Sequence, residues 1–454
     1  MTFLGASMLS GISAQVSPLQ VDTLKETKIP DQWDLQSCID YAKEQNITIR
    51  KNRITAVSTQ IDVKTAKAAL FPSLSFSTGH QVVNRPYQET SSRVSGSEII
   101  SSNSKTSYNG NYGLNASWTL YNGNKRLKTI QQEKLNNQMA ELDVATSENN
   151  IQESIAQVYI QILYAAESVK VNENTLQVSI AQRDRGQELL NAGSIAKSDL
   201  AQLEAQVSTD RYQLVTAQAT LEDYKLQLKQ LLELDGENEM NIYLPALSDE
   251  NVLAPLPTKR DVYISALSLR PEIEASKLNV EASELGINIA KSSYFPTISL
   301  SAGIGTNHTS GSDFTFGEQV KNGWNNSIGL SVSVPIFNNR QTKSAVQKAK
   351  LQYETSMLSL LDEQKALYKT IESLWLDANS AQQRYAAANE KLKSTQISYE
   401  LISEQFNLGM KNTIELLTEK NNLLQAQQEQ LQAKYMAILN TQLLKFYQGD
   451  QLAL

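Results

Sequence analysis

Histidine and cysteine are nearly missing from these 454 residues: His80, His308 and Cys38 are the whole complement. One cysteine cannot form an internal disulfide, and the three residues supply no thiolate or imidazole cluster for zinc or haem, so no metal or cofactor is expected. Cys38 reads as a small buried helix residue. The two histidines read as isolated, and with no nucleophile elbow and no phosphate loop, no catalytic residue is assigned and the chain is not read as an enzyme. Ten prolines and 19 glycines are few for this length, which favours long helices with few interruptions. No run of 18 apolar residues occurs, so no transmembrane helix is written here. Net charge is −7, and no cluster of Lys or Arg offers a footprint for nucleic acid.

Apolar residues make up 41% of the chain, slightly below the usual soluble range, so length is available but core is scarce. The start, MTFLGASMLSGISAQVSP, has an apolar run followed by small residues and reads as the end of a secretory signal cleaved after Ala14, although it lacks a basic n-region. No cysteine stands directly after that point, which speaks against lipid-anchored export.

Most of the chain is written twice. Residues 41–79 lie over 265–303 at an offset of 224, matching Phe71-Pro72 with Phe295-Pro296. Downstream, Asn122 matches Asn338, Gly193 matches Gly409 and Asp199 matches Glu415 at an offset of 216, the difference of eight falling in the first loop. Each half reads helix, strand, long polar loop, strand, long helix, turn, helix. The organisation is then a signal segment over 1–14, an extended segment over 15–33, a first repeat over 34–236, a linker over 237–258, a second repeat over 259–447 and a tail over 448–454.

Four strands are expected, at about 73–83, 108–121, 297–306 and 324–337. They alternate: Tyr112, Leu114, Ala116, Trp118 and Leu120 oppose Gly113, Asn115, Ser117 and Thr119, and Ile328, Leu330 and Val332 oppose Gly329, Ser331 and Ser333. Phe-Pro ends the helix before each strand pair, because a residue preceding Pro is driven from the α region. Helices are expected over about 34–69, 123–192, 197–234, 260–292, 339–408 and 412–447. The two longest would each span roughly 105 Å. Leu200, Leu203, Val207, Asp210, Leu214, Ala217, Leu221, Tyr224, Leu228 and Leu231 step by threes and fours, as do Tyr353, Met357, Leu360, Leu367, Ile371, Leu374 and Ala378, the pattern of coiled coils. Leu361, Tyr368 and Trp375 add a second apolar stripe.

Strands with one apolar and one polar face, flanked by Tyr108, Tyr112, Trp118, Tyr121, Trp324 and Phe337, suit a transmembrane β-barrel with an interfacial aromatic belt. A sandwich face packed on a second sheet is the competing reading. Four strands cannot close a membrane barrel, and three copies would supply twelve. The turns NAGSIAKSDL (191–200) and NLGMKNTIELL (407–417) each place one glycine where a helix stops, followed by Ser198-Asp199 and Thr413 where the next helix would be capped.

The paired strand-loop-strand plan, Phe-Pro before the strands, TLYNGNKR and PIFNNRQ after them, and these two turns resemble the TolC-like outer-membrane efflux protein family over residues 34–447. The resemblance implies a mixed, internally duplicated fold, an all-α coiled-coil barrel plus a transmembrane β-barrel, with four strands and long helices per protomer. It implies a homotrimer with a 12-stranded β-barrel and a 12-helix periplasmic tunnel, in the outer membrane of a Gram-negative bacterium. The implied role is an exit duct for drugs or small molecules, with a periplasmic adaptor, an inner-membrane transporter of RND or ABC type and outer-membrane lipid as partners. A protein-secretion duct of the same architecture is the nearest alternative, and a soluble coiled-coil tether the distant one. Carried over by position, Gly193, Ser194, Gly409 and Met410 would form the adaptor-docking tip, and Lys411 would link to Ser198 and Asp199 to hold the tip closed. Glu415 would face the pore. Phe406 stands where a hydrogen-bonding Tyr is expected, and Thr418 where a second acid is.

Overall fold

The computed structural model describes residues 29–87, 91–95, 98–102, 105–235, 240–245, 252–310 and 314–453, with the backbone alone described in 91–95 and 98–102. The expected signal segment over 1–14 lies outside them. The chain divides into two compact units, one built from 1–55, 141–274 and 362–454, the other from 56–140 and 275–361.

The elements in chain order are α1 (Leu35–Gln45), α2 (Ile47–Ala68), β1 (Ser73–Asn84), β2 (Ser91–Ser95), β3 (Glu98–Ser102), β4 (Thr106–Asn122), α3 (Lys125–Asn191), α4 (Lys197–Leu231), α5 (Lys259–Leu269), α6 (Pro271–Ser292), β5 (Thr297–Thr309), α7 (Phe316–Asn322), β6 (Asn325–Ser333), α8 (Gln341–Asn407) and α9 (Thr413–Gln448). The two long helices, α3 and α8, run 67 residues each without a break. Three expectations need correction. The loops carry structure of their own, the β2–β3 hairpin and α7. The last strand stops at Ser333, because Pro335 cannot donate to a ladder, and so Phe337 falls outside it.

Each expected helix over 34–69 and 260–292 is in fact two, broken at Asn46 and Arg270. These positions match at the offset of 224. Arg270 precedes Pro271 and sits at ψ 123°, as sterics demand. Asn46, at ψ 126°, closes α1 and opens α2. Its Oδ1 accepts from the backbone N–H groups of Thr48 (2.9 Å) and Ile49 (3.4 Å), while its Nδ2 donates to the carbonyl of Leu231 (3.0 Å) at the end of α4.

In the first unit, the core gathers Trp33, Cys38 and Ile39 with Ile155, Tyr159 and Leu163 of α3, Leu228 of α4 and Leu443 of α9. Cys38 is fully buried, and desolvation pushes its thiol up to about 12. Trp33 exchanges backbone hydrogen bonds with Asn241 and Tyr243, so the end of the extended segment is tied to the linker. A second cluster joins Val262, Ala266 and Ile273 to Leu367, Ile371 and Ala378 of the α8 stripe. Arg270 is buried between Glu153 (2.7 Å) and Glu272 (2.9 Å), with its guanidinium 4.0 Å from the Tyr447 ring centroid. Desolvation raises the Glu153 carboxyl even beside this cation.

In the second unit, four strands form an antiparallel sheet in the order β1-β4-β5-β6, and β4–β5 joins the two repeats. One face carries Ser73, Ser117, Ser301 and Gly329 in one row and Ser75, Asn115, Gly303 and Ser327 in another. The opposite face carries Phe76, Leu114 and Ile304, then Trp118, Leu300 and Leu330. No strand of this sheet contains Asp, Glu, Lys or Arg. The strands pass to α3 and α8 through matching turns with consecutive left-handed residues, Gly123 and Asn124 in one, Asn339 and Arg340 in the other. The carbonyls just past the end of α2 are satisfied by Trp118 Nε1, which donates to Leu70 (2.7 Å), and Arg126, which donates to Ala69 (2.8 Å).

Asn46→Ala is expected to cost about 1–2 kcal/mol through loss of the cap. Arg270→Met is expected to cost more, about 3–5 kcal/mol, because it leaves Glu153 half-enclosed without its cation. Thermal unfolding followed by helical circular dichroism checks the order; equal midpoints would contradict it.

Candidate functional site

The two hairpin turns are built alike. Helix α3 ends in a Schellman motif, with Gly193 N–H donating to Leu190 (2.9 Å) and Ser194 N–H to Leu189 (2.8 Å). Helix α8 ends the same way, Gly409 N–H donating to Phe406 (2.9 Å) and Met410 N–H to Gln405 (2.9 Å). Both glycines adopt a left-handed backbone, φ +74° and +73°, and neither has a neighbouring atom where a side chain would sit. Met410 is 70% exposed. Glycine is therefore needed for the turn itself, while the space around it stays open.

The caps that follow differ from expectation. Asn412, not Thr413, caps α9: its Oδ1 accepts from Glu415 N–H (2.9 Å), and Glu415 Oε2 accepts in return from Asn412 N–H (3.2 Å). Helix α4 has Ala196 at the capping position, and Asp199 reaches back to accept from its N–H (3.0 Å). Ser198 is not the cap. Thr413 is buried instead.

The expected link from Lys411 to Ser198 and Asp199 is not made within the chain. Lys411 Nζ donates to Glu415 Oε1 at 2.6 Å, one helical turn away on its own hairpin. That hydrogen bond, with the one from Asn412, holds the Glu415 carboxyl below the usual glutamate range. Phe406, where a hydrogen-bonding Tyr is expected, is buried. Thr418 spends its hydroxyl on the carbonyl of Ile414 (2.8 Å).

The polar links between the hairpins lie deeper. Lys420 of α9, 3% exposed, donates to Asp210 of α4 and Ser179 of α3, and Ser179 also donates to Asp210. Gln206 supports the group, donating to Asp210 Oδ1 (2.9 Å) and to Asn421 Oδ1 (3.3 Å). Gln182 of α3 donates to the Tyr399 hydroxyl of α8 (2.9 Å). Lys420 stands seven residues beyond Thr413, where α9 begins, about 10 Å along the helix. Burial pushes its ammonium below the ordinary lysine value, outweighing the opposing pull of Asp210. Asp210 was visible in the sequence as the one acid in an apolar stripe; nothing in the sequence marked Lys420 as its partner.

Of the six aromatics, Tyr108 and Tyr112 lie in the loop-side half of β4 and Trp118 and Tyr121 in its helix-side half, while Trp324 precedes β6 and Phe337 follows it. A register shift between Thr119 and Tyr121 pairs Tyr121 with Ile298, which turns it onto the apolar face that strict alternation would deny it.

The fold is that of outer-membrane channels. It superposes on CusC with a TM-score of 0.77 at 19% identity, covering 92% of each chain. It superposes on VceC of Vibrio cholerae with 0.74 at 16%, covering 92% of this chain and 97% of that one. The chain belongs to the outer membrane efflux protein family, whose model matches residues 38–233 and 262–449. It is 24% identical over 294 residues to outer membrane efflux protein BepC of Brucella suis, covering 64% of this chain and 61% of that protein. It is likewise 24% identical over 294 residues to outer membrane protein TolC of Escherichia coli, covering 63% and 58%. These alignments span about three-fifths of each relative. Toxin and drug export protein A of Aggregatibacter actinomycetemcomitans matches at 22% over 91% of this chain and 87% of that protein.

Lys420→Met is expected to destabilise the first unit by about 3–5 kcal/mol, since Asp210 is left buried without its cation. Pairing it with Asp210→Leu is expected to restore most of the loss. Denaturant unfolding of both variants checks this; a double variant no more stable than the single would contradict it.

Proposed function

We propose that this chain is one protomer of a homotrimeric outer-membrane duct, through which small molecules delivered by an inner-membrane transporter and a periplasmic adaptor leave a Gram-negative cell. The observation that carries the reading is the charge-free sheet with an uncovered apolar face and two unpaired edges. Leu74, Phe76 and Ile328 are 69%, 68% and 79% exposed, and β1 and β6 each pair on one side only. In water such a face and such edges invite aggregation. In a bilayer, the face meets lipid, and edges must close, because hydrocarbon offers backbone groups no partner. Three sheets joined β1 to β6 would make twelve strands with the serine-rich face inward, and the aromatic rows at their two ends suit the membrane interfaces.

The helical hairpins of three copies would supply a twelve-helix periplasmic tunnel. The open turns at Gly193-Ser194 and Gly409-Met410 offer the adaptor a surface without obstructing side chains. The group Lys420, Asp210 and Ser179 takes the role of holding the hairpins closed, which sequence had assigned to Lys411, Ser198 and Asp199. Glu415 would present a ring of three carboxylates, each partly neutralised by its own Lys411.

The relatives' names favour two cargoes. One is called a toxin and drug export protein, and another, 21% identical over 67% of this chain, is the alkaline protease secretion protein AprF of Pseudomonas aeruginosa. A protein-secretion duct is therefore the second reading, and export assays with dye and with protein cargo separate it from the first.

Crosslinked mass in detergent is expected to show three copies, with a conducting pore in planar bilayers; a stable monomer would sink the proposal. Lys420→Met is expected to raise conductance over the wild type. Glu415→Gln is expected to lower cation preference, and Lys411→Ala to raise it. The Glu415 carboxyl titrates lower in the folded chain, so its contribution is present above the ordinary value of 4.5 and lost as pH falls through the depressed folded value. Cation preference should fade over that same acidic window in wild type and be flat in Glu415→Gln.

A further inference from the structure

The two histidines that look isolated in the sequence are neighbours on the sheet. His80 of β1 pairs with Gly110 of β4, and Gly110 pairs with His308 of β5, so all three share one row. Gly110 lets the His308 ring lie over the strand. A Cβ built there would stand 2.2 Å from His308 Cε1, 2.6 Å from His308 Nδ1 and 3.1 Å from His80 Nδ1, so the ring covers the glycine and brings both Nδ1 atoms to its side. Tyr108 and Tyr112 flank Gly110 along β4, and Phe316 covers the His308 ring, with centroids 4.9 Å apart.

We infer that His80, His308 and Tyr108 form a binding site for a divalent transition-metal ion, of the class of Cu2+, Ni2+ or Zn2+, held between the two Nδ1 atoms beside Gly110. Imidazole nitrogen is the donor this class prefers. A ligating histidine must be neutral, with its second nitrogen held by an outer partner. His80 meets the second condition, since Nε2 lies 3.1 Å from Thr78 Oγ1. Its Nδ1 lies 2.7 Å from the Tyr108 hydroxyl, which brings an oxygen to the same point. His308 Nδ1 is buried and has no hydrogen-bond partner, which is the condition a metal would relieve. Among the described residues no three of His, Cys, Asp and Glu gather into a metal site, so the third donor is the phenol. One bound ion would tie β1 to β5 across β4. The inference rests on the sheet alone and stands apart from the export reading.

The test uses the full chain without a polyhistidine tag, in detergent, titrated with Cu2+ and followed by electron paramagnetic resonance. One ion per chain is expected, with splitting from two imidazole nitrogens. His80→Ala and His308→Phe are each expected to weaken binding at least about tenfold and to remove one nitrogen from the spectrum. The phenylalanine keeps the aromatic cover over Gly110, so its loss of binding would not reflect a misfolded sheet. Gly110→Ala would set a Cβ against the His308 ring and push that donor off the glycine, and is expected to weaken binding similarly. The assignment is overturned by a wild type that takes up no Cu2+, or by His308→Phe or Gly110→Ala binding as the wild type does; the imidazole then serves only to cover the glycine.

Discussion

Unpaired backbone at the two edges of a four-stranded sheet is the constraint on which the second unit turns. Soluble proteins blunt such edges with lysine, proline or a covering element. Here β1 and β6 carry none of these within their spans, in a chain of which one residue in five is charged. The charge is spent on the helices and withheld from the sheet. That distribution makes sense if the edges are meant to pair and the apolar face is meant to leave water, which is why the proposed trimer explains the sheet better than a sandwich would. A sandwich needs a second sheet to cover Phe76 and Ile328, and the only other sheet among the described residues is the short β2–β3 hairpin.

In the first unit, the organising interactions are ionic and buried. Such groups cost desolvation, and they stabilise only where geometry and further hydrogen bonds repay it. Arg270 meets that requirement with two carboxylates and an aromatic face, at the point where α5 gives way to α6. Lys420 meets it with Asp210 and Ser179, joining three helices at once. Hydrophobic heptads alone allow helices to slide by a turn; a buried pair fixes which turn faces which.

Periodicity and punctuation were legible from the sequence because they are local. Alternation gave the strands, threes and fours gave the coils, and a single glycine per hairpin marked both Schellman stops. Arg270-Pro271 is equally local as a break, though the longer apolar pattern runs across it. At Asn46 the cap on Thr48 and Ile49 is local, but the tie of its Nδ2 to Leu231, 185 residues away, is written in no local pattern. Within the chain Lys411 meets Glu415 instead of Ser198 and Asp199 for a physical reason: a lysine one turn before a glutamate finds it at 2.6 Å. Tyr121 reached the apolar face only through a bulge, which alternation cannot foresee. The histidine pair escaped because no spacing along the chain encodes a row across three strands.

Duplication explains what is shared, and departures from it show where the halves part. The helix breaks at 46 and 270, the left-handed junctions after 122 and 338, and the glycine stops at 193 and 409 recur because each is a requirement of the backbone. The buried ion pair does not recur. By the same offset of 216, Lys420 corresponds to Glu204, which is exposed, and Asp210 to Ala426, which is fully buried. A symmetric pair would have tied each hairpin identically; a single pair gives α9 a buried cation and α4 the acid that receives it, so the hairpins cannot exchange roles. The histidines follow the same logic, His80 corresponding at the offset of 224 to Ile304, which keeps the apolar row. The repeated residues thus build the scaffold, and the unrepeated polar ones assign its two copies different work.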